Sequence, residues 1–463
     1  MTILAKTKTV YVCQSCGADS PKWMGRCSSC GEWNTYQEMR IQKETLAEEK
    51  KKDWKGQESK HNGSHPLPLD DIKIGRTSRF ISGNQEFDRV LGGGIVPGSL
   101  ILLGGNPGIG KSTLLLQLCS QMSQQDILYV SGEESEEQIK LRAERIAKHP
   151  LPKTFVFTEV NTSKVLKAAK KLMPSLIIID SIQTMTSPYL ESAPGTVSQI
   201  RECAADLQRF AKELNIPVIL VGHITKEGHI AGPKVLEHIV DVVLQFEGDP
   251  NYNYRLLRVQ KNRFGSTDEI GIYEMRGDGL AEVNNPSELF ISQSETELSG
   301  SAIGVMLEGQ RPVLVESQAL VSPAVYGNPQ RSTTGFDLRR LGMLLAVLEK
   351  RVGLSLAQND VYLNIAGGLK IKDPGMDLSV VAAIMSSLED TIVYQSDCFV
   401  GEVGLSGEIR AVTHIGQRVR EADKLGFKRM FLAGSNMKGL KTEDLHIELI
   451  PVNKLTDLYD LMF

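Results

Sequence analysis

Gly105-Asn106-Pro107-Gly108-Ile109-Gly110-Lys111-Ser112 is the stretch that decides the fold. It fits the pattern G-x-x-x-x-G-K-[ST], and its surroundings fit the mechanism behind that pattern. An apolar run, Leu100-Ile101-Leu102-Leu103, leads in as a buried strand, and Thr113-Leu114-Leu115-Leu116-Gln117-Leu118 leads out as a helix. The glycines between them let backbone N–H groups converge on phosphate oxygens at the helix N-terminus, where the helix dipole favours anions. Gly105, Asn106, Pro107, Gly108, Ile109, Gly110, Lys111, Ser112 and Thr113 are therefore the expected nucleotide cradle. Lys111 would reach the β- and γ-phosphates, and the Ser112 hydroxyl would sit on Mg²⁺. A chance glycine-rich turn would not need strand, loop and helix in this order. The chain is expected to bind ATP.

Outward from the loop, apolar strands alternate with helices. Strands are expected at 100–103, 127–131, 154–157, 176–180, 218–221 and 242–246, with helices at 134–148, 163–172 and 197–214. That alternation means an α/β layer on a mostly parallel sheet. Runs at 255–260, 270–275 and 280–283 follow in quick succession as an antiparallel extension. The strand Leu176-Ile177-Ile178-Ile179-Asp180 ends in a carboxylate, and beside a phosphate loop such an Asp holds Mg²⁺ through water. Alone, it would be an ordinary strand-end Asp. Tyr129-Val130-Ser131-Gly132-Glu133-Glu134 ends a second strand in two carboxylates. Glu133, nearer the strand edge, is the candidate base for the attacking water. Glu134 also suits the start of a helix, where the dipole favours an acid. His223, at the end of another strand, either senses the γ-phosphate or is a routine hydrogen-bonded residue.

Four of the seven cysteines, Cys13, Cys16, Cys27 and Cys30, read C-x2-C-x10-C-x2-C. This is metal-ligand spacing, and four thiolates suit a closed, structural Zn²⁺ site. A redox pair is the competing reading. Gly17 and Gly31 follow the two knuckles, where tight turns wrap sulfur ligands around a metal. Cys119, Cys203 and Cys398 are scattered and read as small core residues. No stretch is long enough to span a bilayer and the first ten residues lack a long apolar core, so a cytoplasmic location with no membrane partner is expected. A net charge of −4 carries no global signature of nucleic-acid binding, so any such contact must be local.

At 463 residues there is room for about three domains of about 150 residues each. The expected order is a C4 zinc finger at 1–36, a polar linker at 37–69, the ATPase domain at 70–286 and a second α/β unit at 287–463. The linker is polar, broken by Gly and Pro, and has little to bury. Its Trp54 is either a docking anchor or incidental. Within the last unit, strands are expected at 312–317 and 361–365, and helices at 337–350 and 377–388.

Two further stretches carry the reading beyond a generic ATPase. One is Phe87-Asp88-Arg89-Val90-Leu91-Gly92-Gly93-Gly94-Ile95-Val96-Pro97-Gly98-Ser99, and the other is Lys261-Asn262-Arg263-Phe264-Gly265. With the zinc knuckle, they make the chain resemble the RadA (Sms) family of bacterial DNA repair proteins over essentially its whole length. The resemblance implies a RecA-like P-loop ATPase core, a small N-terminal zinc knuckle and a C-terminal unit similar to the peptidase domain of Lon. It implies a homo-oligomer, a hexameric ring similar to DnaB-type helicases. Such a ring would move on single-stranded DNA, extend branched recombination intermediates and work beside a RecA-type recombinase. Loops 187–196 and 226–234 match the positions that face DNA, with Lys226 and Lys234 as candidate contacts. Lys261 and Arg263 would either enter a neighbouring subunit's site as trans-acting cations or touch DNA phosphates as a basic turn.

In the Lon-like unit, Lys372-Asp373-Pro374-Gly375-Met376-Asp377 matches the turn that carries the serine nucleophile, and it has Met376 in that place. Gly401-Glu402-Val403-Gly404-Leu405-Ser406-Gly407-Glu408 matches the next element, but the lysine position falls near Gly416, beside Gln417 and Arg418. A thioether is not an acyl-transfer nucleophile, so the peptidase chemistry is expected to be absent. Three functions stand in competition. They are a DNA-stimulated ATPase motor, a non-motor mediator switched by ATP, and an ATP-dependent protease.

Overall fold

The computed structural model describes residues 7–13, 18–29, 31–42, 68, 79–146, 150–223, 234–248, 253–291, 298–324 and 329–463. The chain separates into two compact units, Met1–Glu282 and Val283–Phe463, and each is described by itself. The joint thus falls four residues before the expected one.

In the first unit, β1 (Thr7–Cys13), β2 (Asp19–Ser20) and β3 (Tyr36–Gln42) form a small antiparallel sheet in the order β2-β1-β3. Lys8 pairs with Ile41 and Thr7 with Gln42. Strand β3 therefore continues to Gln42, past residue 36, where the zinc finger was expected to end.

The ATPase core is a nine-stranded sheet. Its strands are β4 (Leu100–Gly105), β5 (Ile127–Ser131), β6 (Thr154–Phe157), β7 (Leu176–Asp180), β8 (Val218–His223) and β9 (Val242–Glu247), followed by β10 (Tyr254–Asn262), β11 (Ile270–Arg276) and β12 (Gly279–Glu282). The order is β12-β11-β10-β9-β4-β8-β7-β5-β6. The six strands from β4 to β9 pair parallel, and β10 to β12 extend the sheet antiparallel. Strand β4 is buried throughout. Its alternate residues point to opposite faces. Ile101 and Leu103 pack with Leu114 and Leu118 of the helix Lys111–Gln121, whereas Leu100 and Leu102 pack with Leu207 and Phe210 of Val197–Leu214. The sheet therefore has a core on each face, which is why its strands read as continuous apolar runs.

The second unit holds β13 (Ser301–Glu308), β14 (Arg311–Pro323), β15 (Arg331–Thr334), β16 (Asn359–Ile365), β17 (Asp397–Val400), β20 (Arg429–Ala433) and β21 (Glu448–Val452) in a mixed sheet ordered β15-β16-β14-β13-β17-β20-β21. Between β17 and β20, β18 (Glu402–Val403) and β19 (Ile409–Arg410) form a separate two-stranded ribbon. The helix Asp377–Leu388 is buried from Asp377 to Ser386 and packs against β13 and β14.

Candidate active site

Parallel pairing gathers the chemistry at one edge of the sheet. In β4, β5, β7 and β8 the carboxyl ends lie together, with Ser131 opposite Asp180 and Gly105 opposite His223. The loop after Gly105 turns into the helix Lys111–Gln121 through Gly108 at φ 76° and Gly110 at φ 113°. A Cβ on Gly110 would stand 2.9 Å from Met275 Cε, and one on Gly105 would stand 2.8 Å from Phe246 O. Glycine is thus a packing requirement at Gly105, against a backbone oxygen, and a conformational one at Gly110, where φ is 113°. Asn106, Pro107 and Gly108 are exposed, so the cradle's backbone is open to a ligand.

Lys111 is buried, with only 5% of its surface exposed. Its Nζ donates to Gly105 O at 2.8 Å and to Asn106 O at 3.0 Å. Burial lowers its pKa to about 8, against the opposing pull of Asp180 and then Glu133. The ammonium is thus held beside two carboxylates in a site that disfavours its charge, and a bound phosphate anion would relieve that. The donor set fits the expected groups. Backbone amides at a helix N-terminus with a lysine suit a triphosphate, and the Ser112 hydroxyl with the Asp180 carboxylate offers the oxygen ligands that Mg²⁺ prefers.

Each strand-end carboxylate is engaged by a hydroxyl. Tyr129 donates to Asp180 Oδ2 at 2.6 Å, and Ser181 donates to Glu133 Oε1 at 2.6 Å. Glu134 is placed differently: it is ion-paired with Arg142 of the helix Glu136–Ile146, and its amide donates to Ser131 Oγ at 3.0 Å. Tyr129 and Ser181 did not stand out in the sequence. The available signal was a phenol inside the wholly apolar strand Ile-Leu-Tyr-Val-Ser. For His223 the backbone is described as the last residue of β8 and the side chain is not.

The loop 187–196 is held from beneath by Gln199, which is 1% exposed. Its Oε1 accepts from Ser187 N at 2.8 Å, and its Nε2 donates to Leu190 O at 3.0 Å and Ser192 O at 2.8 Å. Lys226 lies outside the described residues, as does the side chain of Lys234.

Lys261 and Arg263 lie at the opposite edge of the sheet. The expectation placed Lys261 just beyond its strand, but β10 continues through Asn262, because Lys261 pairs with Val243 and Asn262 with Val242 after a bulge. Lys261 Nζ donates to Glu237 O at 2.6 Å and Val240 O at 2.8 Å, covering the carboxyl end of the helix Lys234–Ile239. Its pKa is lowered, by burial first and by Arg263 second. Arg263 reaches Asp241 Oδ1 at 3.2 Å while about half of its side chain stays exposed. Asp241 also accepts from Lys212 Nζ at 2.7 Å and from Leu100 N at 3.0 Å. The pentapeptide packs on the glycine turn of the upstream stretch. Arg79 donates to Phe264 O and to Leu91 O, both at 2.7 Å, and a Cβ on Gly92 would stand 3.5 Å from Gly265 Cα. From Leu100 to Gly105 the sheet spans about 17 Å at about 3.3 Å per residue, which separates this pentapeptide from the phosphate loop of the same chain.

In the metal module, Cys13 and Cys27 are buried thiols. Cys13 Sγ lies 3.1 Å from Thr35 Oγ1, and Tyr36 donates to Cys27 Sγ at 3.6 Å. Two buried thiols, one donating to a hydroxyl and one accepting from a phenol, suit half of a thiolate zinc site. Cys16, Gly17 and Cys30 lie outside the described residues, as does Trp54.

In the second unit, Met376 is wholly buried. It closes the 3₁₀ turn Pro374–Met376, and its sulfur packs so tightly on β13 that a Cβ on Gly304 would stand 2.6 Å away. Arg418 is 1% exposed and donates to Asp373 Oδ2 and to Val305 O, each at 2.6 Å. The turn expected to match a nucleophile is thus filled by a thioether and a buried ion pair.

A family model described as AAA domain matches residues 67–229, and one described as Rubredoxin metal binding domain matches residues 11–38. The DNA repair protein RadA of Bacillus subtilis (strain 168) is 49% identical over 456 residues, covering 98% of each chain. The chain belongs to the RadA family. RadA of Listeria monocytogenes is 49% identical over 434 residues, covering 93% of each chain. Among solved structures, the RadB recombinase aligns at 22% identity and a TM-score of 0.36, covering 44% of this chain and 99% of that one. This RadA-family chain is an ATP hydrolase with an α/β core; its AAA domain implies ATP with Mg²⁺, and its N-terminal ribbon implies zinc. Among the described residues, no helix is long and apolar enough to cross a membrane.

Proposed function

We propose that this chain is a DNA-stimulated ATPase of DNA repair and recombination, working in the cytoplasm as a ring, a hexamer, that moves on single-stranded DNA and extends branched intermediates. The observation that carries the reading is the shared sheet edge, where Lys111 lies beside Asp180 and Glu133 under an open glycine cradle. In this reading Lys111 binds the β- and γ-phosphates, and Ser112 and Asp180 hold the Mg²⁺ that neutralises phosphate charge. Glu133 orients the attacking water and accepts its proton. The ion pair of Glu134 with Arg142 favours Glu133 over Glu134 for that role.

Lys261 and Arg263 lie too far from their own phosphate loop to serve it, and that supports a role at a neighbouring subunit's site. Arg263, half exposed, supplies the trans charge, and Lys261 holds the strand end that carries it. The loops 187–196 and 226–234, with Lys226 and Lys234, face the DNA. The division into zinc finger, linker, ATPase and Lon-like unit is the working assignment. The zinc module serves engagement with DNA or with a RecA-type recombinase, and the last unit keeps a peptidase-like fold without peptidase chemistry. Buried Met376 and the Asp373–Arg418 pair are what support the loss.

ATP turnover with and without single-stranded DNA, run beside strand displacement on a forked substrate, tests the proposal. The motor reading expects both stimulation and displacement. Turnover indifferent to DNA, with no displacement, would favour a mediator that binds ATP and DNA without translocating.

A further inference from the structure

Asp180 is not held by the backbone of its own strand end. Its Oδ2 accepts the hydroxyl of Tyr129, which comes from the neighbouring strand two residues before the Ser131–Asp180 pair. Tyr129 is 1% exposed and packs among Leu114, Leu118 and Ile178 on the face of the sheet that carries the phosphate-loop helix. A buried phenol needs a partner, and here its O–H points at a carboxylate. At 2.6 Å from a carboxylate oxygen, which can only accept, the phenol is the donor. The opposite exchange occurs one residue further on, where Ser181 of the β7 edge donates to Glu133 of the β5 edge. The two strand ends hold each other's carboxylates.

We propose that Tyr129 is a positioning residue for ATP hydrolysis. Its hydroxyl engages one oxygen of Asp180 and so fixes the carboxylate's rotation, leaving the other oxygen for the water shell of the divalent cation. The inference rests on the reading of Asp180 as the metal's acid. Groups that orient a metal-binding carboxylate in this way change metal affinity or activity by about 10–100-fold when removed. The ring itself fills the core, so removal of the oxygen alone isolates the effect.

The test uses the full chain with ADP and Mn²⁺, whose binding is read by electron paramagnetic resonance. Tyr129→Phe is expected to weaken Mn²⁺ binding in the ADP complex by about tenfold or more. Metal-free ADP affinity and the thermal transition should stay at wild-type values. Raising Mg²⁺ should recover most of kcat, which a general loss of structure would not allow. Asp180→Asn and the double variant complete a cycle. If Tyr129 acts through Asp180, the double variant binds Mn²⁺ no more weakly than Asp180→Asn alone. Losses that add, or Mn²⁺ binding within twofold of wild type in Tyr129→Phe, would overturn the proposal. If Asp180→Asn itself leaves Mn²⁺ affinity unchanged, the fault lies with the assignment of Asp180 instead.

Discussion

The lysine of the phosphate loop makes the stability of the ligand-free ATPase core depend on pH in a direction that the structure fixes. Burial displaces the Lys111 pKa from 10.5 to about 8. Below pH 8 the folded and unfolded chains both carry the proton, and the folded state bears the full cost of a buried cation. Between pH 8 and 10.5 the unfolded chain still binds a proton that the folded chain has released, so stability rises with pH. At about 1.36 kcal/mol per pH unit the ceiling is about 3 kcal/mol. The open side of the loop, where Asn106, Pro107 and Gly108 meet solvent, reduces this to about 1–2 kcal/mol. Lys111→Met has no such proton. The wild type should therefore gain on the variant by about 1–2 kcal/mol from pH 7.5 to 10, or about 2–8 °C in the transition of a core of this size. Calorimetry of the two nucleotide-free proteins measures the difference at each pH, which cancels every other titrating group. Saturating ADP with Mg²⁺ should remove the wild type's pH dependence, because the phosphates restore a favourable charge around the lysine. A difference that stays flat, or moves against the wild type as pH rises, would refute the reasoning.

Four further outcomes are expected. Arg418→Met should lower the urea stability of the 283–463 unit by at most about 3–5 kcal/mol, since it takes the counter-charge from the Asp373 carboxylate and leaves it the amides of Leu307 and Gly375, and Asp373→Asn in the same chain should recover part of that. Cys27→Ser should release zinc to a colorimetric chelator while the ATPase core keeps its thermal transition, because metal binding supplies about 10–16 kcal/mol of apparent folding free energy to such modules alone; loss of both transitions together would contradict it. Arg263→Ala and Lys111→Ala subunits, each nearly inactive, should regain part of the DNA-stimulated hydrolysis when mixed, and no recovery in rings shown to be mixed would remove the trans role. Met376→Ser should cleave no casein, since the lysine position falls near Gly416 and no base remains to activate the serine.

Much of this fold was legible because periodicity and burial agree. Strands β5, β6 and β7 and the helices Val197–Leu214 and Asp377–Leu388 lie where the apolar pattern puts them. Edges proved harder. The apolar pattern of β10 fades at Gln260, yet backbone pairing with β9 carries the strand two residues further. The third strand of the metal module reads as polar linker, because a strand on so small a sheet has little apolar surface to display. Within the site, the phosphate loop and strand-end acids show themselves as local patterns. The partners of those acids do not: Tyr129 lies 51 positions from Asp180 and Ser181 lies 48 from Glu133, and only the strand order joins them. Arg418 and Asp373, 45 positions apart, were hidden for the same reason.

The strand order also bears on why one subunit would need another. At the carboxyl edge of the sheet, Lys111 faces Asp180 and Glu133, so the protein's own charges there sum to about one negative before any nucleotide arrives. A triphosphate adds about four negative charges and Mg²⁺ returns two, which leaves the γ-phosphate in a strongly negative surround just where charge develops during hydrolysis. Low dielectric in a closed site makes that imbalance costly and makes an added cation effective. The basic residues that follow β9 cannot answer it within the same chain, because Arg263 is anchored to Asp241 at the amino edge of β4, about 17 Å away along the strand. Asp241 is buried and shared between Lys212, Arg263 and an amide, so the arginine is oriented from behind while half of its side chain stays open to solvent. A guanidinium held through Nη1 by Asp241, with half of the side chain open to solvent, is preorganised for a partner's phosphate and too far from its own. That asymmetry argues for hydrolysis at an interface between copies of the chain, with the Arg263 and Lys111 mixing experiment as its direct measure.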